Sequence, residues 1–198
     1  MKFINILAFP SALPMKTLIF KFLPAIAVAA IIVSNQSSLA ETIEQKNALR
    51  QAKSHLEYTA FSRDGLVKQL EFSKFDHEDA VWAADNVGAN WREQAVRQAK
   101  SYLDYSAFSR DGLVKQLKHS KFDHKDAVFA ADNCGADWNE QAVRQAKSYL
   151  EYTAFSRDGL VKQLKFSGFT SEQATHAVDA VGFKPKEASK KPTSKKKS

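Results

Sequence analysis

Two short clusters contain residue types that bind metal ions. They read Asp-His-Glu-Asp at residues 76–79 and Asp-His-Lys-Asp at residues 123–126. A divalent cation needs ligands that converge on one point, whereas these residues are consecutive at the start of a predicted helix. The corresponding segment further along the chain, residues 170–173, reads Thr-Ser-Glu-Gln. We therefore predict no metal site and interpret the first residue of each segment as a helix cap.

The tetrapeptide Ser-Arg-Asp-Gly occurs three times, and its serines, Ser62, Ser109 and Ser156, are candidate nucleophiles. A nucleophilic serine needs a paired base, and the hydrolase elbow has the form Gly-x-Ser-x-Gly. The chain has neither around these serines, and capping of a helix explains them without catalysis. It also lacks a phosphate-binding glycine loop and a defensible pair of catalytic carboxylates. The sequence predicts no catalytic residues, no cofactor and no enzymatic activity.

These serines belong to a longer repeat. The decapeptide FSRDGLVKQL begins at Phe61, Phe108 and Phe155, a constant period of 47 residues. A second match, ALRQAKSHL or AVRQAKSYL, precedes each copy. A fixed period of this size is typical of stacked supersecondary units. The predicted units are residues 41–94, 95–141 and 142–183.

Each unit shows a helical pattern with capping residues at the expected places. In the second unit, Val96, Ala99 and Leu103 form one apolar stripe at helical spacing. The predicted N-caps of its three helices and the glycine that ends the third are, in order, Asn90, Ser109, Asp123 and Gly135. No alternating run suggests a strand. We predict an all-α fold of three tandem three-helix, helix-turn-helix-like repeats packed as a short array.

Helices this short are unstable alone and must bury their apolar stripes against one another. Phe61, Phe72, Phe75 and their repeats are expected to supply most of the large core side chains. The single cysteine, Cys134, corresponds to valine in the other two units, so we interpret it as a small buried hydrophobe.

Only Gly-Ala-Asn or Gly-Ala-Asp connects one unit to the next, so neighbouring units are expected to pack directly. Trp91 and Trp138 occupy the first helical position after the two connections. We interpret them as junction residues. The alternative is that they are exposed aromatic anchors for a partner.

The positive charge lies at the two ends. The formal net charge is +7, but residues 41–183 hold 19 basic and 21 acidic side chains. Residues 1–40 are predicted to be a signal peptide, because lysines precede an apolar run at 22–33 and small residues, Ser38 and Ala40, end the segment. An uncleaved anchor is the alternative, although the run is shorter than the ~20 residues of a membrane span. Either Met1 or Met15 serves as a start.

The C-terminal segment, residues 184–198, has seven lysines and almost no apolar side chain, so we predict a disordered tail. Its candidate residues for binding anionic surfaces are Lys190, Lys191, Lys195, Lys196 and Lys197. They would contact anionic lipid headgroups or an anionic envelope polymer. The alternative is a solvated tail that aids solubility. The near-neutral body argues against a nucleic-acid partner.

The repeat resembles the Ltp-type repeat of host cell surface-exposed lipoproteins, some of which temperate phages encode. The resemblance rests on F-S-R-x-G-L-x-x-Q-L in each unit and on Gly-Ala-Asp-Trp-Asn-Glu-Gln-Ala at residues 135–142. It implies tandem helix-turn-helix-like domains without DNA-binding function. It also implies a role in superinfection exclusion, with the phage tape-measure protein as the partner. The family is named for a lipid-anchored cysteine after the signal, whereas Glu41 follows Ala40 here.

The sequence therefore favours an exported binding protein of the cell envelope, periplasmic or secreted, with a protein partner. A structural envelope protein held to anionic surfaces by its tail is the first alternative. A helix-turn-helix nucleic-acid binder is the second, and it requires the export prediction to be wrong.

Overall fold

The computed structural model describes residues 41–183, which form nine helices and contain no strand. The helices are α1 (Ile43–Tyr58), α2 (Arg63–Phe72), α3 (His77–Asn86), α4 (Trp91–Tyr105), α5 (Arg110–His119), α6 (His124–Asn133), α7 (Trp138–Tyr152), α8 (Arg157–Phe166) and α9 (Ser171–Ala180). The predicted all-α fold of three three-helix repeats is confirmed. None of these helices is long and apolar enough to cross a membrane.

Helix starts and ends lie at the predicted capping residues, although one of these residues makes no capping hydrogen bond. The hydroxyl of Ser109 accepts a hydrogen bond from the Gly112 N–H at 3.0 Å, and the carboxylate of Asp123 accepts one from the Lys125 N–H at 2.7 Å. Asp76, the counterpart of Asp123, makes no side-chain capping bond, which corrects the prediction for the first repeat. The glycines predicted to end the third helices have positive φ angles; they are Gly88, Gly135 and Gly182.

Each repeat has its own hydrophobic core. In the second repeat, α4 packs closely on α6 because their contact faces are alanines, and α5 fills the remaining space with leucines. The fully buried side chains of this core include Ala95, Ala99, Leu113, Leu117, Ala127 and Ala130. The buried residues of the three repeats form three separate clusters. Most of each repeat's packing energy is therefore internal to that repeat.

The phenylalanine prediction is partly wrong. Phe122 and Phe169 are buried, but Phe72 and Phe166 are at least 80% exposed. Phe72 follows the buried Leu70 by two residues, which is about 200° around a helix, so its side chain projects from the opposite face. Cys134 is buried in the core of its repeat, and the prediction of a small buried hydrophobe is confirmed.

The helix bounds give the boundaries of the repeats more accurately than the repeated sequence motifs do. The first helices of the second and third repeats begin at Trp91 and Trp138, so the predicted boundaries at 94/95 and 141/142 fall inside helices. The repeated sequence motif begins in the middle of a helix, whereas the N-cap residue marks the start of the first helix of each repeat. Residues 1–40 and 184–198, which hold the predicted signal and tail, lie outside the described residues.

Candidate binding surface

The serines that first suggested nucleophiles join one repeat to the next. The hydroxyl of Ser62 accepts a hydrogen bond from the Gly65 N–H at 3.0 Å and donates one to the Ser120 carbonyl at 2.7 Å. The hydroxyl of Ser109 does the same with Gly112 and with the Ser167 carbonyl, the latter at 2.6 Å. Both serines are buried. Their hydroxyl protons thus connect consecutive repeats rather than serving a reaction. The contact between the first and second repeats is called here the first joint, and the contact between the second and third repeats the second joint.

An arginine completes each joint. Nη1 of Arg97 donates to the Leu56 carbonyl at 2.8 Å, and Nη1 of Arg144 donates to the Leu103 carbonyl at 2.7 Å. Both carbonyls lie in the last turn of the preceding repeat's first helix, where the helix dipole is negative and carbonyls lack helical partners. The guanidinium therefore caps the helix of the repeat before it. Sequence patterns within one repeat contain no signal for this contact.

At each joint, a tyrosine hydroxyl forms a hydrogen bond with the serine whose carbonyl accepts the bond from the other repeat. The hydroxyl of Tyr102 lies 2.5 Å from the hydroxyl of Ser120, and that of Tyr149 lies 2.6 Å from the hydroxyl of Ser167. These pairs tie the first helix of a repeat to the residue whose carbonyl accepts the joint bond. The two joints therefore share one geometry, displaced by 47 residues.

The two tryptophans lie at these joints. Trp91 begins α4 but packs against the core of the first repeat, and Trp138 begins α7 but packs against the core of the second. Trp91 also lines a cavity of about 320 Å³ with Ser62, Arg63 and Phe122. Both indoles are half-buried. Their use as anchors for a partner remains a prediction.

Substitution of the joint serine tests its double role. Ser109→Ala should destabilise the protein by about 1 kcal/mol more than Ser156→Ala, because both variants lose a helix cap and only the first leaves a joint carbonyl without its donor. Ser156 caps α8, and within residues 41–183 its hydroxyl donates to no carbonyl of another repeat. Urea unfolding of the full chain, followed by circular dichroism, measures the difference. Equal losses would contradict the joint role.

The acidic clusters are used in local contacts. Nδ1 of His77 lies 2.5 Å from a carboxylate oxygen of Glu71, and the carboxylate of Asp126 accepts from Nε of Arg92 at 3.1 Å. The Arg92 guanidinium also lies 4.7 Å from the centre of the Phe129 ring. Within residues 41–183, no three His, Cys, Asp or Glu side chains are grouped closely enough to hold a metal ion.

An arginine–aspartate pair recurs in every repeat between the second and third helices. The Arg63 guanidinium donates to both carboxylate oxygens of Asp85, at 2.6 and 2.8 Å, and Arg110 pairs with Asp132 at the same distances. These hydrogen bonds lower the pKa of both carboxyls below the ordinary value of 3.8. The side chains are about half exposed, so solvent limits what each pair contributes.

The lowered pKa values predict a loss of stability in acid. Because the folded carboxyls bind protons less readily than the unfolded ones, their contribution is complete above pH 3.8 and disappears as the pH falls through the folded pKa. An Asp85→Asn, Asp132→Asn double variant should be less stable at about pH 7 by up to about 1 kcal/mol per pair, and the difference should become smaller as the pH is lowered to about 2. Urea unfolding at both pH values measures this. Asp104→Asn, a change at an exposed carboxyl, is the control and should leave the stability unchanged at both pH values.

Five exposed aromatic side chains form the clearest candidate binding surface, called here the aromatic row. They are 80–87% exposed and comprise Tyr58, Tyr105, Tyr152, Phe72 and Phe166. The tyrosines end the first helix of each repeat, and the phenylalanines end the second helix of the first and third repeats. The equivalent of Phe72 in the second repeat is the exposed His119.

Two members of the aromatic row lie close in sequence to residues of the second joint. Tyr105 lies four residues before Ser109, and Phe166 immediately precedes Ser167, whose carbonyl Ser109 binds. Exposed rings from two repeats therefore flank the second joint. The sequence signal that could have revealed the row is an aromatic residue two positions after the last core leucine of a helix. The residue type of Phe72 instead suggested a place in the core.

The family model of host cell surface-exposed lipoproteins, Ltp, matches three segments, residues 43–87, 90–134 and 137–181. Each segment starts at the N-cap or first residue of a first helix and ends at the C-cap of a third helix. The chain belongs to this family. The resemblance inferred from the repeats is thereby confirmed, and family and fold agree on what one repeat is.

One solved structure is also similar. It is that of Ltp, a superinfection exclusion protein from the Streptococcus thermophilus temperate phage TP-J34, at 30% sequence identity and a TM-score of 0.45. The match covers 46% of this chain and 96% of that one. No curated protein matches the chain.

Proposed function

We propose that this protein is an exported, non-enzymatic binding protein of the cell envelope that recognises a protein partner through the aromatic row. The observation that carries the proposal is that large aromatic side chains are exposed at equivalent positions of successive repeats. Tyrosine and phenylalanine are enriched where proteins bind each other, because a ring buries a large apolar area with few rotatable bonds to order. A repeating set also allows one partner to bind at several points.

Two observations support binding rather than catalysis. The hydroxyls of Ser62 and Ser109 are occupied by backbone groups on both their donor and acceptor sides. The arginine and aspartate side chains with lowered carboxyl pKa values are paired with each other on the surface. Such a pair stabilises a fold and offers no free acid or base.

Export and attachment complete the proposal. Membership in a family of host cell surface-exposed lipoproteins supports a position outside the cytoplasm, and the signal-like residues 1–40 provide the route. Residues 184–198 are proposed to bind anionic headgroups or polymers of the envelope. Cell fractionation with and without residues 184–198 tests the attachment. Equal release of both forms into the soluble fraction would contradict it.

The biological role that best fits the family is exclusion of superinfecting phage, with a phage protein as the partner. The family resemblance implies that this partner is the tape-measure protein and that DNA injection is the step blocked. Under this proposal, phage adsorption to an expressing host stays normal while entry of phage DNA falls.

The test expresses the protein in a sensitive host and measures adsorption and DNA entry separately. Replacing the three tyrosines of the aromatic row with alanine should restore DNA entry toward the level of cells without the protein. The substitutions are Tyr58→Ala, Tyr105→Ala and Tyr152→Ala. Because these side chains are exposed, the variant should keep its helical circular dichroism spectrum and surface level.

The matched control replaces three exposed lysines, at equivalent positions on the same helices, with alanine. They are Lys53, Lys100 and Lys147. This variant should still block DNA entry. Loss of the block in both variants would argue against the aromatic row. Unchanged DNA entry across a broad panel of phages, with the unmodified protein at the surface, would argue against the exclusion role.

A further inference from the structure

The two internal joints bring together the same pair of surfaces. One is the C-terminal face of a repeat, which in the first repeat includes the buried Leu56 and Ser62. The other is the N-terminal face of the following repeat, which in the second repeat includes Arg97, Ser120 and the buried Phe122. The contacts across a joint are the serine and arginine hydrogen bonds and the packing of the tryptophan. The second joint repeats them.

The third repeat exposes its C-terminal face. Leu150 and Ser156 are the counterparts of residues that are buried in the earlier repeats, and neither of them is buried. A cavity of about 650 Å³ opens beside Leu150. Among the described residues, no donor reaches the Leu150 carbonyl, although both of its counterparts accept from an arginine. This face therefore has both the shape and the free acceptor of an incomplete joint.

The first repeat exposes the matching N-terminal face. Phe75 is half-buried, whereas its counterparts Phe122 and Phe169 are buried. Arg50 is exposed, as its counterpart Arg97 is, and it is held by the Asn47 side chain at 3.0 Å, much as Gln94 holds Arg97. Ser73 has the backbone conformation of Ser120, and no described donor reaches its carbonyl.

We propose that copies of this protein associate head to tail, with the N-terminal face of one copy on the C-terminal face of the next. In that arrangement Arg50 of one copy donates to the Leu150 carbonyl of another, and Ser156 donates to the Ser73 carbonyl. The contact repeats the geometry of the internal joints, and it leaves one face free at each end. Such a heterologous contact does not close, so the assembly grows with concentration instead of stopping at a dimer.

The intermolecular joint is weaker than the internal ones for a visible reason. Glu44 stands where Trp91 and Trp138 stand in the later repeats, so the apolar contact of the indole is absent. The covalent connection that holds internal repeats at high effective concentration is also missing. Replacing Glu44 with tryptophan supplies the apolar contact of the indole and should strengthen the association.

Sedimentation of the full chain, purified from expressing cells, tests the proposal from about 10 µM to about 1 mM, the range of weak association. The weight-average mass should rise continuously with concentration. Arg50→Ala should weaken the association about tenfold, the loss expected for one charge-assisted hydrogen bond. Glu44→Trp should shift the rise to lower concentration. Lys53→Ala, on the same helix, is the control and should leave the association unchanged.

Three results would overturn the proposal. The first is a monomer at every concentration for both the unmodified chain and Glu44→Trp. The second is an equal effect of Arg50→Ala and Lys53→Ala. The third is a mass that stops at a dimer, which indicates a closed contact. A chain that associates as expected but fails to exclude phage would leave the head-to-tail contact supported and the proposed function rejected.

Discussion

A Leu117→Ala substitution should lower the free energy of unfolding of the second repeat by about 2–5 kcal/mol. Leu117 is fully buried in that repeat's core, where five of the other ten buried residues are alanines on the closely packed helices α4 and α6. Small side chains on a tight helix pair cannot move inward to fill the space. The variant therefore loses the transfer free energy of the side chain and retains a cavity. A unit of this size has only a few kcal/mol to lose.

The loss should be confined largely to one repeat, because the three cores are separate clusters. Hydrogen exchange of the full chain should show faster exchange of the amides of α4, α5 and α6, with smaller changes in the other helices. Leu117→Met, which nearly conserves volume, is the control and should cost less than about 1.5 kcal/mol. Equal acceleration of exchange in all three repeats would show one cooperative unit instead.

A Gly168→Ala substitution should destabilise the second joint by about 1–3 kcal/mol. Gly168 has a φ of +90°, and a Cβ atom there would lie 2.7 Å from the hydroxyl oxygen of Ser109. That hydroxyl is held by two hydrogen bonds and cannot move away without breaking the joint. The alternative is for the backbone to turn toward the φ of 68° found at Lys121, the equivalent residue of the first joint. Thermal unfolding measures the loss.

The equivalent position of the first joint should respond in the opposite direction. Lys121 has a left-handed backbone conformation that costs an L-residue about 1–2 kcal/mol, so Lys121→Gly should be stabilising or neutral, the gain being reduced by the greater backbone freedom of glycine. At equivalent positions, one substitution adds a Cβ atom and the other removes a side chain. A loss of similar size in both variants would contradict the argument.

Local signals predicted most of the fold. The capping residues, the leucine and alanine stripes and the left-handed glycines act within three or four residues of their own helix, so the sequence reports them directly. The wrong predictions for Phe72 and Asp76 also have local causes. Phe72 was assigned to the core by residue type, although its position relative to Leu70 places it on the outer face. Asp76 shares its type with Asp123 but makes no capping bond, because capping depends on side-chain geometry as well as residue type.

The candidate site was predicted less completely. The tryptophans were placed at the connections from their position alone, but the contacts of Arg97 with Leu56 and of Ser62 with Ser120 join residues 41 and 58 positions apart. A single sequence contains no pattern that predicts contacts between residues so far apart. The period of 47 residues shows that the pairs recur once one is known.

The sequence by itself determined that this protein consists of three copies of one helical repeat and which residues lie at the helix caps, among them the repeated serines and the first aspartate of each acidic cluster. Only the tertiary structure decided how the copies meet and which aromatic rings remain outside. The physical reason is the separation along the chain of the residues that interact. Capping and helical periodicity depend on residues a few positions apart, whereas a joint depends on which faces of two folded units come together. Each repeat must fold before its faces exist.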